Sequence, residues 1–546
     1  YQYFFYIFAT FFTERNPNTF IDIFRFYDCR GVYCNKMVLE LKKPRPIWEI
    51  IFSTHHTDIG LLYIIASMVA LFAGGALAMA IRAELFLPGV QIFEGQADFS
   101  RFFTVHGTTL LFLWLIPFAA GAGNYLIPIM VRYKDMAWPK LNAVAFWMIP
   151  PCMFLIWGGF SDTTWNAYPP YSILKAPGPA ADMWIVGLKL LGLSSVLGAI
   201  NFTVTILKMK HPDLPLMKMS LFSWATLVTS LMIIVAIPTF AASLVMLYTD
   251  RLGVTGFFNP EMGGDPIAYQ HLFWFTFHPE VYIFVLPGIG MMYEMIPTFS
   301  RKPLFSYYSG VVALIVIAVI GFGSWAHHMF AVGMSFTEKT VFMVGTLAAV
   351  PSSAMHVFNF LATMWGGRIK FAAPMLFSVG GILLFFSAGA GGVVNTAMPL
   401  DFLTHDSYWV VGHMHLFIMG TITLAFVGFI YYLFPLITGR MYDQRLAKIH
   451  FVLTFVGIAV IFGVQHILGL YGMPRRVVDY LPIPELIIMN QIASFGGWAI
   501  GASFILFLYN MIKSAMFGKP VDPKDPFELG HGVEYYYDYA RREPHH

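Results

Sequence analysis

Apolar runs of about twenty residues, separated by charged or Pro/Gly-rich breaks, recur along almost the whole chain from residue 59 onward. A hydrocarbon core about 30 Å thick takes roughly 20 residues of α-helix to cross, and backbone amides at that depth must bond within their own helix. The pattern predicts twelve spans, near 59–82, 103–131, 142–160, 183–207, 220–247, 268–298, 305–333, 340–366, 371–393, 407–436, 449–471 and 486–512. No linker and no internal repeat interrupts them. The expected architecture is therefore an all-α membrane protein, one twelve-transmembrane-helix bundle over residues 47–515, with an N-terminal extension over 1–46 and a cytoplasmic C-terminal tail over 516–546.

The loops carry the orientation. Segments 132–141, 208–219, 299–304, 367–371 and 437–449 are rich in Lys and Arg, while 83–100, 161–182, 248–268 and 394–406 are poorer in them. The positive-inside rule then puts the basic set, and both chain ends, in the cytoplasm. Composition agrees, with 58% hydrophobic and 12% charged residues against about a quarter charged in soluble domains. A net charge of +3 spread over scattered basic residues argues against a nucleic-acid partner. Three cysteines are too few for a disulfide framework, and only Cys29 and Cys34, a C-x4-C pair, stand close enough in sequence to pair or hold a metal. The chain opens on Tyr1, and the segment before Met37 reads as an extension, a processed leader or a separate hairpin, without the h-region of a cleavable signal peptide. Topology alone favours a twelve-span transporter.

The histidines change that reading. Of 17, seven lie within or at the edges of apolar spans: His106, His278, His327, His328, His405, His413 and His415. Imidazoles inside a bundle are costly unless paired or ligated. His413 and His415 stand two apart, so at about 100° per residue they leave nearly opposite sides of one helix and can serve two separate irons. His106, in the second span, is placed to complete one of those sites. His278, His327 and His328 make an all-imidazole set that suits copper, with zinc the alternative. Tyr282 follows His278 by four residues and shares its helical face. Lone members such as His271 and His466 read as packing residues.

These residues resemble subunit I of the haem–copper oxygen reductases, in the A family of aa3-type cytochrome c and quinol oxidases. The resemblance runs from Thr57 to Ile512 and is carried by the strings YQHLFWF (269–275), HPEVY (278–282), WAHHMF (325–330), HDSYWVVGHMH (405–415) and GMPRR (472–476). It implies that His106 and His415 ligate a low-spin haem, that His413 ligates a high-spin haem, and that His278, His327 and His328 hold copper, with Tyr282 covalently joined to His278. It further implies magnesium on His405 and Asp406, haem propionates on Arg475 and Arg476, and Arg82 near a formyl group, which points to A-type haems. The activity implied is reduction of O₂ to water with electrons from the low-spin haem, coupled to proton pumping.

Protons would come from the inner side. Asp135 matches the mouth of the family's main proton pathway, Asn124 and Asn142 its polar residues, Ser194 and Ser195 its upper hydroxyls, and Glu280 the glutamate at its end. The family's second pathway usually has a lysine in the eighth span; counting back from FLATMWGG (360–367), His356 takes its place. A nitric oxide reductase would carry glutamates near the second metal and lack the tyrosine of HPEVY, and a transporter needs none of these ligands. The chain has no cluster of Cys and His for a dinuclear copper centre, so a protein donor such as cytochrome c would require a copper-carrying subunit II. Quinol as donor, a subunit III and a prokaryotic plasma membrane complete the expectations.

Overall fold

The computed structural model describes residues 46–176, 178–522 and 525–530. The Cys29/Cys34 pair, the extension before residue 46 and most of the tail lie outside these residues. Everything described is helix or loop: two isolated bridges, Ser407 with Pro474 and Arg440 with Pro520, are the sole extended pairings among the described residues.

Among the described residues, eleven helices are long and apolar enough to cross a membrane. They are α1 (His56–Glu84), α2 (Gln96–Met130), α3 (Pro139–Gly159), α4 (Pro179–Met209), α5 (Leu221–Arg251), α6 (Pro266–Ser300), α8 (Phe336–Met364), α9 (Ala373–Thr396), α10 (Tyr408–Thr438), α11 (Gln444–Leu470) and α12 (Pro484–Phe517). Between α6 and α8 lies α7 (Tyr307–Phe322), an apolar helix of 16 residues, shorter than a span requires by itself. The expectation of one continuous helix over 305–333 is thus corrected. Gly321, Gly323 and Ser324 end α7, and Trp325–Met329 form a tight 3₁₀ turn, so His327 and His328 sit on that turn rather than on a helix face.

Sequence neighbours pack against one another, α1 on α2, α5 on α6 and α11 on α12. In lipid no hydrophobic force separates helix from solvent, so close packing of small residues takes over. A Cβ on Gly60 of α1 would lie 2.7 Å from the Tyr125 nitrogen, and one on Gly457 of α11 would lie 2.8 Å from the Gly496 oxygen. Burial identifies the middle of the bundle: the most apolar windows of α6 and α10 are 94% and 83% buried, against 22% for α1 and α8. The helices that carry His278, Glu280, Tyr282, His413 and His415 are therefore the central ones.

Candidate haem and copper site

His106 of α2 and His415 of α10 face each other with ring centres 6.2 Å apart and planes within 8° of parallel. Each directs Nδ1 to a backbone oxygen, Gly74 for His106 and Val411 for His415, both at 2.9 Å. That bond fixes the tautomer and leaves Nε2 of both rings toward the gap. Two metal–imidazole bonds of about 2.0–2.1 Å, with the depth of each ring added, would span this separation. The gap opens into a cavity of about 660 Å³ lined by Met79, Arg82, Phe462, Gln465, Arg475 and Arg476 among others. Arg82 is anchored through Nη2 on Asn490 and Ser494, yet its Nη1 and the Nη2 of Arg476 are buried without a protein acceptor. An apolar slot with an opposed imidazole pair and two orphaned guanidinium nitrogens fits a haem bearing acceptor oxygens.

His413 leaves the opposite side of α10. Its Nδ1 donates to Ala388 of α9 at 2.9 Å, and its ring lies against Gly391 and Gly392, where added Cβ atoms would stand 3.3 Å from Nδ1 and 3.0 Å from Cε1. The glycine pair hollows α9 around this imidazole, a feature the sequence reading missed although a Gly-Gly step in a membrane helix signals such an approach. Each of the two facing imidazoles is followed three residues later by a π-helical stretch, Thr109–Leu115 after His106 and Ile418–Thr423 after His415.

Ligand nitrogens of His278, His327 and His328 lie within 4.8 Å of one another. Two hydroxyls absent from the sequence reading aim them. Ser324 donates to Ile320 at 2.7 Å and meets His278 Nε2 at 3.1 Å, which turns His278 Nδ1 toward His328 Nε2, 3.4 Å away. Thr346 donates to Phe342 at 2.7 Å and meets His327 Nδ1 at 3.0 Å, leaving Nε2 for a metal. His328 stacks on Trp274 at 3.7 Å. Converging imidazoles without carboxylate or thiolate fit copper. Tyr282 meets His278 edge to face, ring centres 5.2 Å apart.

The remaining candidates fall into three groups. Asp135 accepts from Met136 at 2.7 Å and from His56 at 3.1 Å, and His56 Nδ1 bonds Asn124 at 2.8 Å, whose side chain accepts from Asn142 at 2.6 Å. Burial raises the Asp135 carboxyl above its ordinary range despite those N–H bonds and the nearby His55. Asn124, Ser194 and Ser195 line one cavity of about 60 Å³ with Tyr63, Thr229 and Ile283, and Ile283 stands one turn from Glu280 on α6. Glu280 is fully buried, and neither carboxylate oxygen has a hydrogen-bond partner. His56 and Tyr63, which the sequence does not single out, bridge this series.

His405 and Asp406 lie in the loop before α10, beside Asp401 of the short preceding helix Met398–Thr404, a residue the sequence did not single out. Burial disfavours a charged His405, but Asp401 at 3.0 Å and Asp406 outweigh it and raise its pKa. Arg475 donates to Asp406 at 2.7 Å, and burial together with Arg475 brings Arg476 down to about 10. His356 is fully buried in α8, apart from the other sites, with Nδ1 2.8 Å from the Tyr293 hydroxyl and Nε2 unpartnered.

Comparison with known proteins identifies the family. Residues 58–499 match the family model described as cytochrome c and quinol oxidase polypeptide I. A cytochrome c oxidase subunit 1 of Synechocystis sp. is 40% identical over 487 residues, 88% of either chain, and a cytochrome c oxidase polypeptide 1 of Halobacterium salinarum is 40% identical over 506 residues, 91% of this chain and 84% of that one. A heme-copper terminal oxidase solved by cryo-EM shares the fold at a TM-score of 0.75 and 20% identity, covering 89% of this chain and 90% of that one. The chain belongs to the cytochrome c and quinol oxidase polypeptide I family and is the catalytic subunit I of a respiratory terminal oxidase.

Proposed function

We propose that this subunit holds a low-spin haem between His106 and His415, a high-spin haem on His413, and copper on His278, His327 and His328, and that it reduces O₂ to water there while pumping protons. The observation that carries this is the convergence of three imidazoles within 4.8 Å, two of them aimed by hydroxyls, in the same central helices as the parallel histidine pair. Haem and copper, when bound, supply the electron transfer and the O₂ chemistry. The chain supplies the ligands, the orphaned donors of Arg82 and Arg476, and the proton path. Arg82 suits a formyl oxygen and so A-type haems; Arg475 and Arg476 take propionates; His405 and Asp406 take magnesium; Tyr282, joined to His278, gives a proton and an electron close to the copper.

Protons enter at Asp135, pass His56, Asn124 and Asn142, cross the cavity at Ser194 and Ser195, and reach Glu280. The subunit works with a subunit II, copper-carrying if the donor is cytochrome c or another redox protein, and with a subunit III; quinol is the other donor class. In this reading α7 completes twelve spans in a prokaryotic plasma membrane, with both ends cytoplasmic. The purified protein is expected to contain two haems and one copper per chain and to show both haems in a reduced-minus-oxidised spectrum. Absence of copper in metal analysis would refute the site.

His356 takes over the second proton path, toward Tyr282. An imidazole can accept on one nitrogen and donate from the other, and Nδ1 is already engaged while Nε2 is free. His356→Met is expected to slow reduction of the high-spin haem about tenfold or more and to spare oxidation of the reduced enzyme by O₂. Haem reduction at the wild-type rate, with both spectra intact, would make His356 a packing residue.

A further inference from the structure

The buried face of α8 is polar where a membrane helix packed in a bundle is normally apolar. Ser352, His356, Asn359 and Thr363, spaced by four, three and four residues, are all buried on it. Hydrogen bonds run along this stripe. Asn359 Nδ2 donates to Ser309 of α7 at 2.8 Å and to the Tyr293 hydroxyl at 3.3 Å, and that hydroxyl lies 2.8 Å from His356 Nδ1. Ser309 is half-buried, whereas Tyr293 and His356 are fully buried, so the series leads inward from the edge of the bundle. With its oxygen accepting from Asn359, the phenol has its own hydrogen free for the imidazole.

The placement of Tyr293 matches that of Tyr282. Eleven residues separate them on α6, which is three turns plus about 20°, so both phenols leave the same face about 16 Å apart. Each is seated on a glycine of α7, and those glycines are eleven residues apart too. A Cβ on Gly310 would stand 3.3 Å from the Tyr293 oxygen, and one on Gly321 would stand 2.7 Å from the Tyr282 ring. The interface of α6 and α7 thus makes room for two phenols on one line, and His356 lies beside the inner one.

We infer that Tyr293 is a proton-carrying residue of the second path, handing its phenolic proton to His356 Nδ1, and that Asn359 is the positioning residue that aims it. This rests on the reading of His356 as a relay. As the phenolic proton passes to Nδ1, the imidazole releases its Nε2 proton toward the active site, and a proton from the inner side restores the phenol. Charge and atoms balance without any redox partner. A phenylalanine at this position would keep the packing against Phe360, whose ring centre is 4.6 Å away, and would remove only the hydroxyl.

The test is anaerobic stopped-flow reduction of the high-spin haem in the whole enzyme, with Tyr293→Phe, His356→Met and the double variant, each checked for intact haem spectra. Tyr293→Phe is expected to slow haem reduction about tenfold or more, and the double variant to be no slower than the slower single one, because both groups serve one path. A slow His356→Met with a wild-type Tyr293→Phe overturns the role of Tyr293 and leaves the relay standing. Wild-type rates in both overturn both. Slowing that multiplies in the double variant places Tyr293 on a separate path and overturns the inference. If Tyr293→Phe fails to assemble, Asn359→Ala, which leaves the phenol present but unaimed, decides: it is expected to slow the same phase, and a wild-type rate overturns the proposal.

Discussion

Glu280→Gln is expected to lower steady-state O₂ reduction by about a hundredfold or more while leaving both haem spectra unchanged. The carboxyl is fully buried with both oxygens unpartnered, so the amide fits the same space and disturbs no ligand. What it loses is the capacity to take up and release a proton, and a positioned acid or base contributes about 10²–10⁴-fold. No hydrogen-bond partner compensates a charge on Glu280, which suits the proposed role of carrying a proton better than that of bracing the fold. Asp135→Asn, at the other end of the same series, is expected to slow turnover and stop pumping. A wild-type proton-to-electron ratio in that variant would show that the route begins elsewhere.

The second large effect concerns the metal. His328→Asn is expected to remove copper and, with it, measurable O₂ reduction, while the spectrum of the low-spin haem between His106 and His415 persists. Losing a residue that only orients a ligand already costs about 10–100-fold in metal affinity, and losing one of three ligands costs more. Because His328 also stacks on Trp274 at 3.7 Å, the intact low-spin spectrum separates loss of metal from loss of fold. One copper per chain retained in the variant would remove His328 from the site.

The bundle and its candidate ligands were legible in the sequence for different reasons. Hydrocarbon thickness dictates run length, so eleven of the expected spans stand out by apolarity alone. The seventh did not resolve as one helix, because Gly323 and Ser324 end α7 and Trp325–Met329 continue it only as a 3₁₀ turn. His413 and His415 were readable from a two-residue spacing, since helical geometry sends them to opposite sides. The orienting groups were not readable. Ser324, Thr346, Ala388 and the Gly391–Gly392 hollow act between neighbouring elements, 46, 19 and 25 residues from the imidazole each of the first three meets, and single-sequence periodicity holds no information on which side chain of one element meets which of the next. Tyr293 escaped for a related reason: an aromatic in an apolar span reads as packing until its hydroxyl is seen beside His356.

Two of the three π-helical stretches among the described residues, those in α2 and α10, bear on how such a site tolerates change in chain length. Both begin three residues after one of the facing histidines, His106 in α2 and His415 in α10. A π turn accommodates one residue more than an α turn, and such bulges concentrate at functional sites. Each stretch therefore works as a phase shifter between a half-helix that carries an imidazole and a half-helix that packs in the core. Removing one residue from either would return the helix to α geometry and rotate one half against the other by about 100°, which swings that imidazole off the common axis it shares with its partner across the cavity. The opposed pair is thus set by a matched surplus of backbone in two helices as much as by the two histidines themselves.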